Sequence, residues 1–234
     1  MKNIFTNKLF LLSLINAVII WLIPIANFYT RVSLMICLIS ALVTGLISSW
    51  PMRVIRFGFL SLIALLISAV LLPGREYNRA EFIAIFISEL VSYQDTPYVW
   101  GGESRLGIDC SGLIRSSLVG AALKLGIRTA NPDLFRLGIS IWWHDATARQ
   151  IGQGYRDLTY PVVSADSLNS IDYTTIQPGD LAVTASGIHI LAYIGNNSWA
   201  EADPKLEKVV VLTTPQPSNP WFITPVRIVR LKIR

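Results

Sequence analysis

No aspartate or glutamate occurs before Glu76 in this chain of 234 residues, and basic residues are sparse over the same stretch. A segment that long without acidic groups cannot present a solvated surface, so it is no ordinary soluble domain. With 52% hydrophobic and 15% charged residues overall, part of the chain has to sit in lipid. Cysteine is equally scarce. Cys37 lies in an apolar run and Cys110 in a polar, glycine-rich setting, so no bond between them is expected. That absence says nothing about compartment, because a domain of this size folds without disulfides. There are two histidines, His144 and His189, with no ligand-like spacing to Cys110, so neither a metal site nor any cofactor is expected. A net charge of +5 suits an anionic partner such as phospholipid headgroups. Basic clusters interleaved with aromatics, zinc-finger spacing and helix-turn-helix cues are all missing, so nucleic acid is not an expected partner.

What is present begins with three uncharged runs, Leu9 to Tyr29, Val32 to Trp50, and Phe57 to Leu72, the last extended by Val54 and Ile55 if Arg56 snorkels. Each is about as long as a bilayer-spanning helix. The first lacks a small-residue cleavage pattern and two more runs follow at once, which argues against a signal peptide. Asn16 and Pro24 within it carry no assigned role. Lys2, Lys8, Arg53 and Arg56 fall on one side, against Arg31, Arg75 and Arg79 on the other. That slight bias puts the amino terminus in the cytoplasm and everything after the third span outside it, in the cell (inner) membrane. The expected division is therefore a membrane anchor over 1–74 and a catalytic domain over 75–234.

Within the second part, Glu76 to Tyr93 has helical spacing, as does Cys110 to Leu125, which Gly126 is expected to close. A further helix is expected over 133–150, and the turn-rich stretch 152–177 reads as a surface excursion. Strands are expected at Leu181–Thr184, His189–Ile194, Trp199–Ala202, Val209–Leu212 and Val226–Leu231. Helices followed by an antiparallel sheet make an α+β fold.

The most specific signal is Tyr98-Val99-Trp100-Gly101-Gly102 followed by Asp109-Cys110-Ser111-Gly112 at a helix start. A helix amino terminus favours a thiolate, the nucleophilic form of cysteine. Gly101, Gly102 and Gly112 would let backbone close in on the sulfur and leave amides free for an oxyanion. A nucleophilic thiol needs a base, and His189 opens an alternating apolar strand. His144, in Trp142-Trp143-His144-Asp145, reads as a surface or capping residue. After the Gly195-Asn196-Asn197 turn comes Glu201, placed symmetrically to His189 about that turn and suited to orient the imidazole, with Asp203 as the fallback. Asp180, in Pro178-Gly179-Asp180, reads as a structural turn residue.

These residues resemble the NlpC/P60 family of papain-like cell-wall endopeptidases over about Glu81 to Ala202. Pro97 to Gly102, Asp109 to Gly112, Pro178 to Leu181, and His189 match that family's motifs in order. The resemblance implies Cys110 as nucleophile, His189 as base, the Tyr98 hydroxyl near the oxyanion, and the Cys110 amide in the same hole. Trp100, Gly101, Gly102, Asp109 and Ser111 are the further candidates for oxyanion or substrate contacts. In this family the third member is usually His, often Asn or Gln; here the matching residue is Glu201. The stretch 131–177 is longer than the family minimum, a candidate lid or partner surface. The implied substrate is the stem peptide of peptidoglycan, and the implied partners are that peptide and the lipid bilayer. An acyltransferase using the same Cys-His pair and a non-enzymatic membrane scaffold are the alternatives. The nucleophile-before-histidine order argues against circularly permuted lipid acyltransferases.

Overall fold

A computed structural model describes residues 2–233. Three long helices come first, α1 (Lys2–Leu22), α2 (Phe28–Ser49) and α3 (Arg53–Leu71), all long and apolar enough to cross a membrane. They are nearly bare: α3 has no buried residue, and Leu62, Leu65, Leu66 and Ile67 stand exposed along it. The expected first span is corrected, because Leu9 to Tyr29 is not one helix. Pro24 has no amide hydrogen and cannot continue α1, which stops at Leu22. Asn27 then caps α2 by accepting the Thr30 amide in a capping box. Asn16 spends its side chain locally, donating to the Leu12 carbonyl.

The rest of the chain packs α4 (Arg79–Ser92), a small hairpin of β1 (Glu103–Ser104) and β2 (Gly107–Ile108), α5 (Cys110–Thr129), α6 (Pro132–Trp143) and α7 (Ala148–Gly152) against a sheet. The strands are β3 (Thr159–Ala165), β4 (Leu181–Thr184), β5 (Ile190–Gly195), β6 (Ser198–Asp203), β7 (Lys208–Thr213) and β8 (Val226–Leu231). They lie in the order β3-β8-β4-β5-β6-β7, every pair antiparallel. Helices on an antiparallel sheet are the α+β architecture expected.

Both faces of that sheet are covered. Leu181, Val183, Ile190, Ala192, Ala200 and Ala202 face Phe82, Phe86, Leu113, Ile114, Leu118 and Leu125 of α4 and α5. Ala182, Leu191, Tyr193, Trp199 and Ile228 face Leu168, Ile171, Ile176 and Phe222 on the other side. Each fully buried Leu, Ile or Phe contributes about 1.5–3 kcal/mol, so these two layers dominate the stability of this half.

Three boundaries differ from the sequence expectation. Helix α5 runs through Gly126 to Thr129, and Ala130 in the left-handed region ends it; the Gly126 position is taken by contact with Leu134 instead. The expected helix over 133–150 is two helices, interrupted where His144 caps α6 and Thr147 begins α7. The supposed surface excursion holds β3, an edge strand, and brings Leu168, Ile171 and Ile176 into the second core. Pro161 disguises that strand, since a proline is tolerated only at a sheet edge or bulge, and the register shifts at that point.

Candidate active site

Asp109 organises the start of α5. Its extended backbone makes it the helix N-cap: Oδ1 accepts from the Gly112 amide at 2.6 Å and from Ser111 Oγ at 3.0 Å. Oδ2 accepts from the Gly101 amide at 2.9 Å, so one carboxylate ties the Trp-Gly-Gly turn to the cysteine helix. A Cβ on Gly102 would stand 2.4 Å from the Gly107 carbonyl oxygen, and one on Gly112 would stand 2.1 Å from the Gly102 carbonyl oxygen. Glycine is needed at both for backbone to pass. The amides of the three glycines are themselves engaged. Gly101 and Gly112 donate to Asp109, and Gly102 donates to the Val99 carbonyl. The amides of Cys110 and Ser111 are the first two of α5 and have no intrahelical acceptor.

Cys110 is buried, with its Sγ 3.9 Å from the Ile188 carbonyl oxygen, one residue before His189. His189 sits at the lip of the sheet, just ahead of β5. Thr184 fixes it twice: the Thr184 amide donates to the His189 carbonyl at 3.1 Å, and the His189 amide donates to Thr184 Oγ1 at 3.2 Å. Gly187, at φ +73°, permits the tight turn between them. The imidazole Nε2 lies 2.7 Å from Glu201 Oε2, and the Cys110 side chain is close enough to raise the pKa of the ring. Glu201 Oε1 accepts from Asn219 Nδ2 at 2.9 Å, and Trp221 stacks on the imidazole with centroids 4.1 Å apart and planes 20° apart.

Burial works against charging His189, yet the hydrogen bonds and charges of Cys110 and Glu201 outweigh it and push its pKa up to about 9. Burial also raises the Glu201 carboxyl, and the hydrogen bond from His189 pulls it back down. Tyr98 is raised too, by burial first and then by the negative charges of Cys110, Asp109 and Asp203, which keeps its hydroxyl a proton donor.

The symmetric placement of His189 and Glu201 about their turn is corrected by the register. Ala192 pairs with Ala200, a register centred on Asn196, so the ladder puts Leu191 opposite Glu201. His189 therefore reaches Glu201 on the diagonal. The fallback Asp203 is committed elsewhere, accepting from the Lys205 and Leu206 amides. Asp180 accepts from the Gln177 amide and from Arg230 on β8, in keeping with a structural turn. His144 caps α6 through Nδ1 and the Ser140 carbonyl oxygen, 2.9 Å apart. Cys37 and Cys110 are both free thiols. Among the other candidates, Ser111 is spent on the cap, while Trp100 is 78% exposed. Sequence reasoning passed over Thr184, Asn219 and Trp221. Only the turn formers of Ser218-Asn219-Pro220-Trp221 mark the last two, and β6 and β7 intervene between that turn and His189.

Helices on one face of an antiparallel sheet, with a cysteine at the start of the central helix and a histidine at the sheet's lip, define a papain-like cysteine peptidase. The family model described as the NlpC/P60 family matches residues 95–224, and the chain belongs to that family. The matched span reaches past Ala202 and takes in Asn219 and Trp221. Among solved structures, it is similar to the P60 domain of an antigen from M. avium subspecies paratuberculosis. They are 23% identical, with 62% of this chain and 94% of that one covered at a TM-score of 0.37. The peptidoglycan hydrolase RipB from Mycobacterium tuberculosis is 21% identical, with coverage of 63% and 67% and a TM-score of 0.38. NlpC1 from Trichomonas vaginalis is 18% identical, with coverage of 67% and 46% and a TM-score of 0.42. No curated protein matches the chain.

Proposed function

We propose that this chain is a membrane-anchored cysteine hydrolase that cleaves amide bonds in the stem peptides of peptidoglycan through Cys110, His189 and Glu201. The observation that carries the reading is the His189 imidazole bonded to the Glu201 carboxylate under the Trp221 ring, with the Cys110 side chain near enough to favour its charged form and its sulfur 3.9 Å from the carbonyl oxygen of the preceding residue, Ile188. The Cys110 sulfur, its proton passed to His189, attacks the amide carbonyl carbon. The oxygen that takes up the charge meets the Cys110 amide and the Tyr98 hydroxyl. The protonated imidazole then gives its proton to the departing amine nitrogen as the C–N bond breaks and a thioester forms. Water, losing its proton to His189, attacks the thioester, and the acid and the thiol are released. Glu201 holds the ring and stabilises its charged form, with Asn219 keeping the carboxylate in place. Residues 1–74 serve as the anchor and 75–234 as the catalytic domain.

The membrane reading is supported by the exposed apolar faces of α1, α2 and α3, which water would not tolerate. It is supported also by the connections. The loop between α1 and α2 bonds to Gly101, and Arg75 after α3 exchanges hydrogen bonds with Asn131. Both must then lie on the catalytic domain's side of the bilayer, as three crossings require. With the amino terminus inside, that side is extracytoplasmic, where the wall is.

The test is to incubate the full chain in nanodiscs, and its Cys110→Ala form, with defined muropeptides and to resolve the products by mass spectrometry. Amide cleavage by the wild type and none by the variant is expected. Equal cleavage by both would remove Cys110 from the mechanism.

A further inference from the structure

The membrane hairpin does not merely stop at the domain; it docks on the turn that frames Cys110. Ile25, in the loop after α1, pairs with Gly102 as an antiparallel bridge. The Ala26 amide donates to the Gly101 carbonyl at 2.9 Å, and the Pro24 carbonyl accepts from the Glu103 amide at 3.0 Å. A three-residue edge of the motif turn is thus completed by backbone from the anchor. On its other side, the same turn is bonded to the nucleophile's helix, since the Gly101 amide donates to the Asp109 carboxylate that caps α5.

A buried charge pair fixes this dock. Arg31, in the first turn of α2, is 3% exposed, and its Nη2 lies 2.6 Å from Glu103 Oε1. Glu103 also pairs with Arg115 of α5, and its carbonyl accepts from Ser116 Oγ at 2.9 Å. Arg115 reaches Asp145 at 2.8 Å. Glu103 therefore joins three bodies: the anchor through Arg31, the motif turn through its own backbone, and the cysteine helix through Arg115 and Ser116. Arg31 is the sole charged residue of α2, and burying a guanidinium is costly unless a partner compensates it. A simple tether needs no such group.

We propose that Arg31, together with the loop Ile23–Asn27, is a positioning element for Cys110, so that the anchor helps set the geometry of the nucleophile as well as holding the domain at the membrane. The inference rests on the hydrolase reading above. Arg31 touches no reacting atom; it acts through Glu103 and the Gly101–Asp109 bond on the start of α5.

The experiment uses the full chain in nanodiscs, with Arg31→Ala and Arg31→Lys compared with wild type. Three quantities are read: kcat and KM on a defined muropeptide, the rate at which iodoacetamide alkylates Cys110, and the folded fraction by circular dichroism. Small displacements of a reacting group are costly, so Arg31→Ala is expected to lower kcat and the alkylation rate by roughly tenfold with KM within about twofold. Arg31→Lys, which restores the charge but not the planar fork, should recover part of the loss. Wild-type kcat and alkylation in Arg31→Ala would overturn the proposal. So would losses in both variants no larger than their unfolded fraction. If Arg31→Ala does not fold, Arg31→Lys decides: an intermediate loss in the folded protein upholds the proposal and wild-type rates overturn it. A wild-type chain that cleaves no muropeptide would defeat the hydrolase reading, while the alkylation comparison would still judge the positioning one.

Discussion

His189 carries the most consequential environment in the molecule. Its pKa is raised above the unfolded value near 6.5 to about 9, so the stability it contributes is fully present below pH 6.5 and fades as pH rises through about 9. In the proposed mechanism the leaving nitrogen takes its proton from the charged ring, so kcat should decline on the alkaline side with a midpoint near pH 9. An NMR titration of the imidazole checks the assignment: Cys110→Ala removes two of the influences that raise the pKa and should move the midpoint down. A midpoint unchanged by that substitution would mean the thiol does not act on the ring. Glu201→Gln keeps an acceptor for Nε2 but deletes the charge behind the imidazolium. A fall of about a hundredfold in kcat with little change in KM is expected, on the scale of positioned acid–base catalysis. Trp221→Ala would admit water to the His189–Glu201 bond, which the stacked ring now covers, and should cost a smaller part of the rate.

At the level of elements, α5 and the turn before it stand or fall together. Asp109 alone satisfies amides of Gly101 and Gly112 and the hydroxyl of Ser111. Asp109→Ala should therefore destabilise the folded chain by about 1–2 kcal/mol as a lost cap, read as a lowered denaturation midpoint. Activity should fall further than stability, because the Gly101 turn loses its tie to the cysteine helix. Gly112→Ala would force a methyl group to within 2.1 Å of the Gly102 carbonyl oxygen. Cleavage at background level with an unchanged far-ultraviolet spectrum is the expected result, since the helix survives and the turn does not. The β4–β5 turn does the same service for His189 through Thr184, and β6 brings Glu201 up beside it. The proposed nucleophile, base and carboxylate thus come from three elements, each fixed by its own local bonds.

For the whole molecule, the arrangement of hairpin, third helix and domain makes a prediction about sidedness. A reporter fused after Arg234 should signal from outside the cytoplasm, and a cytoplasmic signal would remove the cell wall as a target. What the sequence determined by itself was local: apolar runs long enough to span lipid, a cysteine at a helix start flagged by glycines and Asp109, and strands with β-branched cores. These are legible because periodicity and capping act over a few neighbouring residues. It also placed Glu201 as the third candidate, though by a symmetry that the register, centred on Asn196, does not keep. Only the tertiary structure decided the rest. Asn219 and Trp221 come to the site from the loop after β7, and β3, whose Pro161 obscures it in the sequence, is seen as a strand through its pairing with β8. Arg31 reads in sequence as one weak charge for orientation, and in the fold as the partner of Glu103, 72 residues away. Contacts of that separation depend on which surfaces meet when the chain packs, and no pattern local to either residue encodes them.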